Sequence, residues 1–147
     1  MMDKNIKNIF ITGPISTGFI GESIHKHQSK TTIGGHSIFL GQVRADVVSH
    51  KNISAIEYTA NEEMALLRAD KIREDIIEKY ELTCMHIFHS LGKVNAGEIS
   101  LFVFTSSPHR KAAIDACEET VEKIKSSLPV WGKEIFEDES HQWKINK

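Results

Sequence analysis

Residues 106–134, SSPHRKAAIDACEETVEKIKSSLPVWGKE, hold the densest set of groups with usable chemistry. His109 and Arg110 follow Ser106-Ser107-Pro108 where the apolar spacing predicts a helix start. Free backbone N–H groups and the helix dipole draw anions to such a position, and an arginine adds a planar fork suited to phosphate or carboxylate. Lys125 stands at the far end of the same helix, followed by Pro129, Trp131 and Lys133. A tryptophan beside lysines can stack a flat heterocycle while the ammonium groups neutralise its charge. Each residue also has a plain reading. His109-Arg110 is an ordinary solvated pair, Lys125 complements the helix dipole, and Trp131 belongs to a core or an interface.

Spacing constrains the functional reading. Arg110 and Lys125 are 15 positions apart, so on one helix their Cα atoms stand roughly 22 Å apart at about 1.5 Å per residue. A small ligand does not bridge that gap. Either one end alone is functional, or a two-fold axis sets one helix's start beside its partner's end. Arg44, closing the segment Gly41-Gln42-Val43-Arg44, is a third candidate anion contact. Its plain alternative is a surface residue paired with Glu57 or another acid.

Other reactive residue types offer less. His86 and His89 are three apart on a predicted strand and His25 and His27 two apart on a possible helix, so neither pair converges, and no HExxH or carboxylate cluster accompanies them. This pattern gives no metal site. Cys84 and Cys117 form no CxxC and read as buried reduced thiols. The pair Gly34-Gly35 matches no phosphate-binding or dinucleotide fingerprint.

The elements that must position these groups follow from periodicity and turn residues. Residues 7–12 read as a strand stopped by Gly13-Pro14, and 20–28 as a short helix. Residues 36–46 form a strand with an irregularity near Gly41, 47–52 a polar loop, and 53–60 the next strand. Asn61 caps a helix reaching about Tyr80, with Ala65, Ala69, Ile72 and Ile76 on its apolar stripe. Strands over 82–91 and 98–106 are joined by a hairpin through Asn95-Ala96-Gly97. The helix carrying His109 to Lys125 starts near Ser107 or Pro108 and is ended by Pro129. Residues 130–137 are another strand, and a short one lies around His141-Gln142-Trp143-Lys144. The hairpin-rich order predicts a single α+β domain with two main helices.

Bulk properties narrow the function classes. The chain has 147 residues, 40% hydrophobic and 26% charged, with a formal net charge of -2. That length supports one core, and that charge gives no global field for nucleic acid. No apolar run approaches the ~20 residues of a membrane span, and the N-terminal segment lacks a signal-peptide pattern. With the sparse cysteines, the expectation is a cytoplasmic protein.

Several ordered segments together resemble the catalytic (large) subunit family of molybdopterin synthase: GGHSIFLGQVR (34–44), ISAIEYTANEEMA (53–65), HSLGKVNAGEISLFVFTSSPHRKAAIDAC (89–117), KSSLPVWGKEIF (125–136) and Trp143. The resemblance implies an α/β-hammerhead fold with additional antiparallel strands. It implies a sulfur transferase that converts cyclic pyranopterin monophosphate to the dithiolene molybdopterin, without a resident metal or cofactor. The sulfur donor would be the C-terminal Gly-Gly thiocarboxylate of a small ubiquitin-like carrier subunit, in a heterotetramer built on a homodimer. On this resemblance, Gln42, Val43, Arg44, His109, Arg110, Lys125, Gly132, Lys133 and Glu134 contact substrate. Lys125 lies beside the inserted tail. Bringing two anionic reactants together requires preorganised cations, and a desolvated lysine among them can move protons.

One position departs from the family pattern. The family's second catalytic lysine directly follows the tryptophan, where this chain has Gly132. The expectation is that Lys125 and Lys133 are the catalytic pair, with a bulge at Gly132 re-aiming Lys133 to supply the missing charge. A basic residue four after Trp143, here Lys147, would reach a neighbouring subunit's site. Two alternatives to the synthase reading follow: a non-catalytic dimeric phosphopterin-binding or scaffold protein, and a thiol-based transferase using Cys117.

Overall fold

The computed structural model describes residues 6–146; Lys147 lies outside them. The elements are β1 (Phe10–Thr12), α1 (Thr17–His27), β2 (Gly35–Gln42), β3 (Val47–Val48), β4 (Lys51–Ala60), α2 (Glu62–Tyr80), β5 (Cys84–Asn95), β6 (Ile99–Ser107), α3 (Arg110–Ser127), β7 (Val130–Phe136) and β8 (His141–Trp143). The main sheet runs β2-β6-β5-β4-β7-β8 with antiparallel neighbours. β1 adds in parallel to β5, and β3 pairs with β4. The fold is α+β, as the order of elements predicts, with α1 as a third helix beside the two main ones.

Packing explains why two long helices share one face. Ala65, Ala69, Ile72 and Ile76 of α2 meet Ala116, Cys117, Val121 and Ile124 of α3, over Met85, Ile87, Leu101 and Val103 of the central strands. The small residues let the helices approach the sheet closely. A second cluster lies across the sheet, where α1 brings Ile20 against Phe102 and Phe104. Because β6 is covered on both faces, eight consecutive residues of it, Ser100 to Ser107, are buried without alternation.

Local punctuation also follows sequence chemistry. The Asn61 side chain accepts the Met64 N–H at 3.2 Å and caps α2. The irregularity expected near Gly41 is present as a register shift between Gly41 and Gln42. Two expectations are corrected. Residues 47–52 are a tight β3–β4 hairpin, with Ser49 and His50 at positive φ, rather than a loop. The α3 helix begins at Arg110, with His109 as its N-cap, because Ser106 and Ser107 still extend β6.

Gly34 and Gly35, unassigned by any motif, have a steric role. A Cβ on Gly34 would stand 2.0 Å from the Pro108 carbonyl oxygen, and one on Gly35 would stand 3.2 Å from Arg110 Cα. The glycine pair therefore lets the start of β2 pass under the start of α3, fixing where His109 and Arg110 emerge.

Candidate active site

The end of α3 meets β4, β7 and the segment after β8 around a partly open cavity of about 140 Å³. Ile56, Tyr58, Gly132 and Glu134 line its floor, His89, Ser100 and Leu101 its depth, and Gln42, Val43, Arg44 and Asp46 one rim. Lys125, Trp131, Lys144 and Asn146 close the opposite side. A more open groove of about 570 Å³ adjoins it, sharing Gly41, Gln42, Arg44, Lys125, Glu134 and Lys144 and adding Leu40, Trp143 and Ile145. A narrow chamber opening into a broad apolar-edged groove suits an extended tail entering beside a compact reacting group.

Strand register decides which residues face the cavity. In the β4–β7 ladder, Tyr58 stands opposite Gly132, Glu57 opposite Lys133 and Ile56 opposite Glu134. Side chains alternate between faces along each strand, so Ile56, Tyr58, Gly132 and Glu134 share the cavity face. Lys133 shares the other face with Glu57 and pairs with it at 3.1 Å. The bulge expected at Gly132 does not form: pairing is regular through Trp131, Gly132 and Lys133, and the irregularity sits between Ile53 and Ala55. Lys133 therefore does not enter the cavity by the route the sequence suggested.

Lys125 is the cation at the cavity from α3. Its pKa is held below the usual lysine value, first by partial desolvation and then by the neighbouring Lys144 ammonium. Deeper in, the buried His89 ring places Nδ1 2.8 Å from the Ser90 carbonyl oxygen. A carbonyl only accepts, so Nδ1 carries the proton and Nε2 keeps its lone pair. Burial holds this imidazole below its usual pKa, and Lys125 adds to the effect. Tyr58 packs edge-on to His89 with ring centroids 5.1 Å apart and donates its hydroxyl proton to Ser100 Oγ at 3.2 Å. Burial raises the Tyr58 pKa, keeping the phenol protonated.

The other expected residues separate into two groups. Gln42, Val43 and Arg44 reach the rim from the end of β2, where Val43 is tied to the β5–β6 turn by bonds to Glu98 and Gly97. Arg44 pairs with Asp46 at 3.3 Å and stays largely exposed. His109 and Arg110 lie at the other end of α3, line neither cavity, and are exposed. The helix does keep the two cationic ends apart, as the spacing implies. Gly132 and Glu134 line the cavity directly, and Glu134 accepts a hydrogen bond from Gln142 Nε2 at 3.0 Å.

Comparison with known proteins places this arrangement. The model of the family described as MoaE protein matches residues 15–127. The chain belongs to the MoaE family. The molybdopterin synthase catalytic subunit of Bacillus subtilis (strain 168) is 39% identical over 130 residues, covering 88% of this chain and 79% of that one. The crystal structure of molybdopterin synthase from Staphylococcus aureus superposes with a TM-score of 0.80 at 30% identity, covering 96% of this chain and 99% of that chain. A complex of subunits 1 and 2 of molybdopterin-converting factor from Helicobacter pylori 26695 shares the fold, with a TM-score of 0.80 at 20% identity, covering 94% and 90%. Drosophila catalytic subunits also match but are longer, and this chain spans about a third of their length.

Sequence reasoning missed four groups of this MoaE chain's site. Tyr58, His89, Lys144 and Asn146 line the cavity, yet residue type and spacing give none of them a chemical role, although Tyr58 and His89 fall within the segments that resemble the family. The available signal was strand register, which a single sequence gives only weakly. A separate juxtaposition was also missed: His27, Cys84 and His86 place their ligand-type atoms within 4.8 Å of one another. His27 Nδ1 lies 2.7 Å from the Ser23 carbonyl, and His27 Nε2 lies 2.9 Å from His86 Nε2. The first contact fixes Nε2 of His27 as acceptor, so His86 donates and the pair is internally satisfied. Lys7, Lys30 and Arg73 surround His86 and, with burial as the larger cause, hold its pKa at about 4. Both thiols are buried and free, and burial pushes the Cys117 thiol up, which leaves it a poor nucleophile at neutral pH. Among the described residues, no helix is long and apolar enough to cross a membrane.

Proposed function

We propose that this chain is the catalytic subunit of a molybdopterin synthase. It transfers sulfur from the C-terminal thiocarboxylate of a small ubiquitin-like carrier to a cyclic pyranopterin monophosphate, giving the dithiolene. The observation that carries this reading is Lys125, partly desolvated at the junction of the smaller cavity and the broader groove. The groove receives the carrier's tail, and its exposed Leu40, Trp143 and Ile145 offer apolar contacts to that subunit. The chamber receives the reacting carbon centre and the sulfur.

The residues divide the work physically. Lys125 neutralises the thiocarboxylate and, with its lowered pKa, can give and regain a proton as sulfur changes partners. The neutral His89 presents an unprotonated Nε2 and is a second proton acceptor at the base of the chamber. Arg44 at the rim binds substrate anion by exchanging its pairing with Asp46. His109 and Arg110 at the opposite end of α3 complete the phosphopterin site of the other protomer in a homodimer, which two carrier subunits extend to a heterotetramer. Two reduced buried thiols suit a cytoplasmic setting.

Purified chain, thiocarboxylated carrier and cyclic pyranopterin monophosphate should together yield the dithiolene. Binding of both reactants without product would instead support a scaffold protein that retains the fold.

A further inference from the structure

The face that Gly132 leaves without a side chain is occupied from another strand. In the β7–β8 ladder, Lys133 stands opposite Trp143, Glu134 opposite Gln142 and Ile135 opposite His141. One step further, Lys144 stands opposite Gly132, and its N–H donates to the Gly132 carbonyl oxygen at 2.8 Å. Directly opposed residues on antiparallel strands project to the same face. Lys144 therefore shares the cavity face with Gly132 and Glu134 and lines both the chamber and the groove.

Two more contacts fix this placement. A Cβ on Gly132 would meet Ile56 Cγ2 at 2.9 Å and Lys144 Cβ at 3.7 Å, so the space above the glycine is taken by the stem of Lys144 and its neighbours. Asn146 Nδ2 donates to the Lys125 carbonyl oxygen at 3.3 Å, tying the segment after β8 to the end of α3. The two carboxylates at the cavity have other partners, Asp46 with Arg44 and Glu134 with Gln142. Among the described residues, no carboxylate forms an ion pair with Lys125 or Lys144.

We propose that Lys144, set over Gly132 by the β7–β8 register, is the second lysine of the cavity and binds with Lys125 the anionic group that enters it. This deepens the sulfur-transfer reading and rests on it. Two ammonium groups facing one chamber, neither of them ion-paired with a carboxylate among the described residues, repel each other, and an entering anion relieves that repulsion. Desolvation first, and the Lys144 ammonium second, hold the Lys125 pKa below its usual value, in keeping with this placement.

The test compares wild type, Lys144→Ala and Lys144→Arg with thiocarboxylated carrier and cyclic pyranopterin monophosphate, varying each reactant separately. Lys144→Ala should lower kcat/KM by about tenfold or more, and Lys144→Arg should restore most of it. A KM rise confined to the carrier identifies the carboxyl-type terminus as the bound anion; one confined to the pterin identifies the phosphate. Full activity of Lys144→Ala, or failure of Lys144→Arg to rescue a loss, overturns the proposal. If wild type makes no dithiolene, the sulfur-transfer reading itself fails. NMR titration of Lys125 then decides the cation pair alone: an upward pKa shift in Lys144→Ala upholds it, and an unmoved Lys125 overturns it.

Discussion

Lys133 Nζ lies 3.1 Å from Glu57 Oε1, on the face of the β4–β7 ladder turned away from the cavity. One residue along the strand thus separates a lysine that pairs structurally from a glycine and a glutamate that line the site. The pair is partly exposed at both ends, so its contribution is of the order of a cross-strand ion pair, about 0.2–1 kcal/mol. Replacing Lys133 with alanine should lower stability by that amount, read from the urea midpoint. Turnover should stay within about threefold, the scale of a residue outside the reacting geometry. A loss of two orders of magnitude in kcat would place Lys133 back in the catalytic machinery.

Lys125 should behave differently. Its alanine variant should lose about 10²–10⁴-fold in kcat, the range for removing a general acid–base group. Its pKa lies below the ordinary lysine value, so its charged form is lost as pH rises through that lowered pKa. The alkaline limb of the wild-type rate profile should therefore fall below pH 10.5, the unperturbed value, and should vanish in Lys125→Arg, whose charge does not titrate. A pH–rate profile identical in wild type and Lys125→Arg would remove Lys125 from proton transfer.

The separation of Arg110 and Lys125 along α3 gives a prediction about subunit sharing. Suppose each site uses Arg110 from one protomer and Lys125 from its partner. Then mixing inactive Arg110→Ala and Lys125→Ala subunits restores one intact site in every mixed dimer. Random reassortment should recover about a quarter of wild-type activity. No recovery after verified subunit exchange would show that each protomer works with its own helix ends.

His86 should make the fold acid-sensitive before carboxylates titrate. Its pKa falls from 6.5 to about 4 on folding, so between those values the unfolded chain binds the proton more readily than the native one. Stability is fully present above about 6.5, declines as pH falls toward about 4, and loses nothing more from this group below that. The ring faces His27 and Lys30 from the α1 side, Lys7 from the segment before β1 and Arg73 from α2, all of which oppose its charging. Urea midpoints measured from pH 7 to 4.5 should drop less steeply in His86→Gln than in wild type. Parallel curves would show that His86 protonates freely in the native state.

Gly34→Ala tests the crossing under α3. The added methyl would stand 2.0 Å from a backbone oxygen, which cannot give way as a flexible side chain can. A loss on the order of 1–3 kcal/mol is expected from such overpacking, together with displacement of the His109–Arg110 corner. A crystal structure of the variant with that corner unmoved would contradict the steric role.

The two long helices, most strands and their order were legible in the chain because each has a local cause; the two-residue β3, read as a loop, was not. Asn61 caps α2, Pro129 closes α3, and apolar stripes repeat at helical spacing. Candidate cations were legible by type and spacing, including the roughly 22 Å that parts Arg110 from Lys125. The tertiary structure decided which of them face the same cavity, because strand register is set by contacts between segments far apart in sequence and a shift of one residue inverts every side chain. It turned Lys133 toward Glu57, brought Lys144 over Gly132 from the segment after β8, twelve residues further on, and set His89 and Lys125 around one cavity. Residue types and local spacing established the elements and the inventory of charges; register established which charges meet.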